Sequence, residues 1–207
     1  MAEELTLYTN PMSRGRIARW MLEEVGVPYR TDYRDFQNMK APDYLAINPM
    51  GKVPAIRHGD KVVTECAAIC AYLADAFPKA GLAPPLEERG DYYRWMFFCA
   101  GPLEAATTNK ALGFEVPADR RRMCGYGSLD NVLDALEGAV SASPYIAGDR
   151  FTAADVYVGS QIGWGLMFGT LEKRQAFVDY VARISEREAY RRAKAIDDAA
   201  IPAEKNG

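Results

Sequence analysis

Side chains able to do chemistry are scarce in this sequence. There is one histidine, His58, so no pair of histidines can hold a metal ion. It stands beside Gly59 and Asp60, a combination that reads as an exposed turn. The four cysteines, Cys66, Cys70, Cys99 and Cys124, form no Cys-x-x-Cys pair, which argues against both a zinc site and a dithiol redox centre. Cys66 and Cys70 are one helical turn apart, a spacing that usually marks a buried face. Arg120, Arg121 and Arg122 read most simply as a solvated helix face. A chain so poor in nucleophiles and proton carriers is expected to borrow its reactive group from a small molecule.

Composition narrows the class further. The 207 residues carry 25 Lys and Arg against 28 Asp and Glu, a formal net charge of −3. A dedicated nucleic-acid binder should instead show a basic surplus. The first residues, Met-Ala-Glu-Glu, are acidic where a secretory signal needs positive charge and then an apolar run. The most hydrophobic late segment, Tyr157 to Phe168, is interrupted by Gly159, Ser160, Gln161, Gly163 and Gly165, so it does not read as a membrane span. A cytoplasmic protein with no membrane or nucleic-acid partner is expected.

The elements that must position any site follow from periodicity. Leu5 to Tyr8 alternates as a strand, and Asn10-Pro11 breaks it. Ser13 then precedes a helix carrying Ile17, Trp20, Met21, Leu22 and Val25, stopped by Gly26 and Pro28. Tyr29 to Tyr33 reads as a second strand, and Tyr44 to Ile47 as a short helix ending at Asn48-Pro49. Val53 to Ile56 and Lys61 to Thr64 form a hairpin around His58-Gly59-Asp60. Glu65 to Phe77 is a helix apolar nearly all round, hence buried. The proline- and glycine-rich stretch from Pro78 to Pro85 reads as a linker.

Helical patterns dominate thereafter, over Glu87–Leu112, Ala118–Ala142, Thr152–Phe168, Lys173–Ser185 and Arg187–Ile196. Pro202 to Gly207 is polar and is expected to fray. Thr152 and Asp155 make a capping box, flanked by Phe151 and Val156 as a hydrophobic staple. The division is therefore a βαβαββα domain over 1–77, a linker over 78–86 and an all-helical domain over 87–207.

Three segments give this order a specific likeness: L-Y-T-N-P-M-S-R-G-R-I-A-R-W-M-L-E-E-V-G-V-P-Y (Leu7 to Tyr29), N-P-M-G-K-V-P-A-I (Asn48 to Ile56) and T-E-C-A-A-I-C-A-Y-L (Thr64 to Leu73). With them the chain resembles the cytosolic glutathione S-transferase family, bacterial type, along essentially its whole length. The resemblance implies an α/β domain with the thioredoxin-like fold followed by an all-α domain. Glutathione is the implied co-substrate, with no metal.

The resemblance also implies roles for particular residues. Pro54 follows a cis bond, and the backbone of Val53 pairs with the cysteinyl part of glutathione like an added strand. Lys52 meets the glycyl carboxylate. Glu65 meets the γ-glutamyl ammonium, and the start of its helix meets the γ-glutamyl carboxylate. Cys66 departs from the family pattern, which places serine or threonine there, and a thiol is a much weaker donor than a hydroxyl. The departure also opens a mixed disulfide at Cys66. Family branches activate the glutathione thiol with Tyr, Ser or Cys, and this chain offers Tyr8 and Ser13, with Arg14 adjacent. Ser13 with Arg14 is the preferred pair, and Tyr8 the alternative.

The implied activity is conjugation of glutathione to small, mostly hydrophobic electrophiles, a detoxification chemistry carried out by a homodimer. The alternatives are glutathione-dependent peroxide or disulfide reduction at the same site, or a non-catalytic binding protein. A hydrophobic wall for the second substrate is sought among Trp95, Met96, Phe97, Phe98, Cys99, Trp164, Met167 and Phe168, residues that equally suit a core.

Overall fold

Leu5 and Leu7 are buried on strand β1 (Leu5–Thr9) of the computed structural model, which describes residues 4–201. The expected fraying of Pro202 to Gly207 lies outside the described residues. β1 pairs in parallel with β2 (Arg30–Tyr33) and antiparallel with β3 (Ala55–His58). β3 returns as a hairpin into β4 (Lys61–Thr64), giving the order β2-β1-β3-β4. Helix α1 (Gly15–Val25) buries Ile17, Trp20, Met21 and Leu22. It ends as its sequence predicts, at Gly26 with φ 72°, whose N–H bonds the Leu22 carbonyl at 2.9 Å. The short α2 (Pro42–Leu45) and the apolar α3 (Cys66–Ala76) complete the expected βαβαββα order.

His58 corrects one expectation. It is half-buried rather than an exposed turn residue, because its Nδ1 lies 2.8 Å from the Tyr72 hydroxyl and its ring 5.3 Å from that of Phe77.

By packing, the described chain falls into two compact units, residues 4–80 with 186–201, and residues 81–185. The last helix, α9 (Glu188–Ala199), thus packs with the first unit, against α1. Arg19 and Asp197, each 1% exposed, join at 2.7 Å, and the Arg19 guanidinium also donates to the hydroxyls of Tyr29, Thr31 and Tyr33. Arg187 holds Glu24 through two bonds of 2.7 Å.

The second unit is helical. The first long helix expected there is divided into α4 (Arg89–Phe98), a π turn (Cys99–Leu103) and α5 (Glu104–Ala111). Pro102 lies inside the π turn and has no amide hydrogen to continue an α pattern. The helix expected over Ala118–Ala142 is a 3-10 turn (Ala118–Met123) and α6 (Leu129–Ala142). They are separated at Gly125 to Gly127, and Ser128 caps α6 on the Asn131 amide. Arg120, Arg121 and Arg122 are exposed, on the 3-10 turn rather than on a longer helix.

Central α7 (Ala153–Phe168) is apolar on most sides and packs against α8 (Gln175–Ser185) and α4. Its glycines permit close approach, since a Cβ at Gly159 would collide with Ile184 and one at Gly165 with Leu171. The capping box is present: Thr152 Oγ1 accepts from the Ala154 amide, and Asp155 Oδ2 accepts from the Thr152 amide at 2.9 Å.

Candidate functional site

Strand register gathers the candidate residues of the first unit at one end of the sheet. Tyr8 stands opposite Ala55, and Ala55 opposite Thr64. The turn after β1, the loop entering β3 and the start of α3 are therefore neighbours. Cys66 confirms the approach of the two helix starts, its Sγ donating to the Arg14 carbonyl at 3.8 Å.

The turn after β1 is built around Asn10. Its side chain accepts from the Met12 amide at 2.8 Å and donates to the Arg34 carbonyl at 2.8 Å. Ser13 Oγ donates to the Asn10 carbonyl at 2.7 Å and accepts from the Gly15 amide at 3.0 Å. Ser13 thus precedes the N-cap, which is Arg14, and still satisfies one orphan amide of α1. Gly15 is required sterically, since a Cβ there would collide with Thr9 Oγ1. No acid lies in the first turn of α1, which carries Arg16 and follows the N-cap Arg14, so no carboxylate of the helix itself offsets the positive end of its dipole.

Tyr8 is 8% exposed and packs with Met39, Tyr44 and Ala55, its ring centroid 5.7 Å from that of Tyr44. Strand alternation turns it to the face opposite Thr9, and Thr9 touches the start of α1. The Arg34 guanidinium lies 5.9 Å from the Tyr8 ring. Ser13, preferred in the sequence, and Tyr8, its alternative, occupy different surroundings.

On the third segment, the Val53–Pro54 peptide is cis. The N–H and C=O of Val53 bond to no other described residue. Lys52 is exposed, and its carbonyl accepts from the Tyr44 hydroxyl at 2.6 Å and from Asn48 Nδ2 at 2.8 Å. Glu65 is the N-cap of α3, with φ 64° and ψ 123°. Such a backbone costs a non-glycine residue about 1–3 kcal/mol and tends to persist where function requires it. The helix has no side-chain cap, and the amides of Ala67 and Ala68 find no acceptor among the described residues. An anion is what this end lacks.

The thiols divide by burial. Cys66 and Cys124 are half-buried, whereas burial pushes the Cys70 and Cys99 thiols well up, away from reactivity. Among the described residues, no cluster of three His, Cys, Asp or Glu side chains is placed to hold a metal. No described helix is long and apolar enough to cross a membrane. The apolar residues sought for a substrate wall separate: Trp95, Met96 and Cys99 are core, Phe98 and Trp164 are half-buried, and Phe97, Met167 and Phe168 are about 70% exposed.

Sequence reasoning missed Asn10, Tyr44 and Asn48, which act through backbone groups. It also missed Lys40, whose ammonium holds the Met50 carbonyl at 2.9 Å. Asn10-Pro11 and Asn48-Pro49 carried a signal, since Asn before Pro favours a side chain bonded to its own turn.

Family models for the glutathione S-transferase N-terminal and C-terminal domains match residues 3–75 and 104–164. Glutathione S-transferase F10 of Arabidopsis thaliana is 31% identical over 92% of this chain and 96% of its own. The chain belongs to the glutathione S-transferase family. Enzymes of this family take glutathione as co-substrate, so the expected α/β-plus-helical fold and transferase class both hold. A glutathione transferase from Methylococcus capsulatus superimposes with a TM-score of 0.78 at 29% identity, covering 94% of this chain and 99% of that one. A glutathione transferase homologue from Sulfitobacter with bound glutathione gives 0.74 at 26% identity, covering 96% and 99%.

Proposed function

We propose that the sheet end described above binds glutathione, holds its sulfur as a thiolate and transfers it to a small, hydrophobic electrophile. One observation carries the reading: two unsatisfied backbone features, the Val53 peptide edge and the open start of α3, meet the Ser13 turn before α1 where the family's motifs converge. The cysteinyl backbone adds to Val53 as a strand would, and Lys52 meets the glycyl carboxylate. Glu65 takes the γ-glutamyl ammonium, and the α3 start, from Cys66 onward, takes the carboxylate.

Activation is assigned to Ser13 with Arg14, and Tyr8 is the alternative. A free thiol with a pKa of about 8.5 is only a few per cent ionised at neutral pH. Ser13 has one proton and gives it to Asn10. Turning that O–H onto the sulfur replaces a neutral bond by a charge-assisted one, while the Gly15 amide continues to polarise the oxygen. The dipole of α1 adds to the same effect.

Phe97, Met167 and Phe168 are exposed apolar side chains of the helical unit. By the same family likeness, the working form is a homodimer in the cytoplasm, with no metal. Purified protein incubated with glutathione and a chloronitrobenzene should release the thioether and chloride. No glutathione-dependent adduct with any electrophile in a broad panel would overturn the reading. Turnover of peroxides alone, in an NADPH-coupled assay, would replace conjugation by reduction.

A further inference from the structure

The loop that presents Val53 is clamped from below by residues outside the proposed ligand contacts. Both lone pairs of the Lys52 carbonyl are occupied, by the Tyr44 hydroxyl at 2.6 Å and Asn48 Nδ2 at 2.8 Å. Asn48, 4% exposed, also accepts the Met50 amide on Oδ1 at 3.1 Å. Its carbonyl accepts the Gly51 amide at 2.8 Å, and its own amide donates to the Tyr44 carbonyl at 2.8 Å. Gly51, with φ 57°, lies too close to the Met39 carbonyl for a side chain, since a Cβ would sit 2.7 Å from that oxygen.

The Lys52 carbonyl and the Val53 N–H belong to one peptide unit. In a trans peptide these two groups point in opposite directions within a rigid plane. Fixing the carbonyl inward, onto Tyr44 and Asn48, therefore fixes the Val53 N–H outward. We propose that Tyr44 and Asn48 are positioning residues that aim the Val53 amide at the backbone of the bound peptide. The inference rests on the proposed pairing of glutathione with Val53 and adds the residues that set its direction. Burial pushes the Tyr44 phenol up to about 12, so it stays a donor throughout the physiological range. Without the two donors, the peptide plane is free to turn and its orientation must be fixed at each binding event, a cost that falls on affinity.

The test compares Tyr44→Phe, Asn48→Ala and the double variant with the unaltered protein. The probes are S-methylglutathione, for equilibrium binding by calorimetry, and glutathione with a chloronitrobenzene, for turnover. Each single change is expected to raise the S-methylglutathione Kd and the glutathione KM roughly five- to tenfold. The kcat at saturating glutathione should stay within twofold, because the plane is restored once the ligand is in place. Tyr44→Phe keeps the ring that packs on Tyr8 and decides the matter even if Asn48→Ala fails to fold. Unchanged affinity in the variants, or a loss shared equally with kcat, overturns the positioning role alone. Failure of the unaltered protein to bind S-methylglutathione overturns the Val53 reading, and this inference with it.

Discussion

Ser13 Oγ lies 2.7 Å from the carbonyl oxygen of Asn10 and gives that oxygen its only proton. The hydroxyl is therefore preorganised in place, yet committed to a neutral acceptor that a thiolate can displace.

If Ser13 activates the thiol, Ser13→Ala removes a hydrogen bond to a charged group, a loss of about 1.5–3 kcal/mol. At pH 6.5 kcat/KM should then fall roughly 10- to 100-fold. The apparent pKa of the enzyme-bound thiol should rise toward the free value of about 8.5, so the deficit should shrink as pH rises past it. Tyr8→Phe should leave that profile in place. Stopped-flow measurement of thiolate absorbance against pH separates the two, and the opposite pattern transfers the role to Tyr8.

If the start of α3 takes the γ-glutamyl carboxylate, as proposed, Cys66 bears on how strongly it is held. Its thiol is turned to the Arg14 carbonyl and is a poor donor in any case. Cys66→Ser supplies a hydroxyl at the start of α3, worth about 0.5–1.5 kcal/mol as an added hydrogen bond. The glutathione KM should drop about two- to tenfold with kcat little changed. A KM that stays put or rises in steady-state assays would show that this position does not reach the ligand.

Glu65 separates stability from function. Its left-handed backbone is costly for a side-chain-bearing residue, and glycine adopts such angles readily. Glu65→Gly should therefore leave the thermal midpoint unchanged or raise it, whereas glutathione affinity should fall at least tenfold through loss of the carboxylate. Glu65→Gln, which keeps the strain and loses the charge, should match the affinity loss without the stability gain. Differential scanning calorimetry beside equilibrium binding reads both quantities.

Much of this was legible in the sequence, for reasons that can be named. Alternation in Leu5 to Tyr8 and the helical spacing of Ile17, Trp20 and Met21 are local signals, and they placed β1 and α1. The Thr152 and Asp155 box marked the start of α7 because a cap needs only four residues to declare itself. The break at Gly125 to Gly127 was obscured by apolar residues on either side, and the π turn by a proline with no single local consequence. Tyr44 and Asn48 read only as the start and the stop of a short helix, since their importance lies in where the Lys52 carbonyl points. The partnership of Arg19 with Asp197 spans nearly the whole chain, beyond any window of periodicity.

That partnership yields the last prediction. Arg19 and Asp197 are both 1% exposed and bonded at 2.7 Å, so neither charge has water to fall back on. Burial holds the Asp197 carboxyl above its usual range, and the Arg19 charge and hydrogen bond offset only part of that rise. Arg19→Met removes the counter-charge and the donors to Tyr29, Thr31 and Tyr33, stranding a carboxylate between α9 and α1. Breaking a buried pair in this way costs about 3–5 kcal/mol. Urea unfolding should show that loss for Arg19→Met. Arg19→Met with Asp197→Leu should recover most of it, because two apolar residues leave no charge to desolvate. If the double variant were as unstable as the single one, the pair would be needed for its own attraction rather than for mutual neutralisation. The C-terminal helix would then be held chiefly by charge, and not by the apolar contact of Trp20 with Tyr190 at 4.8 Å.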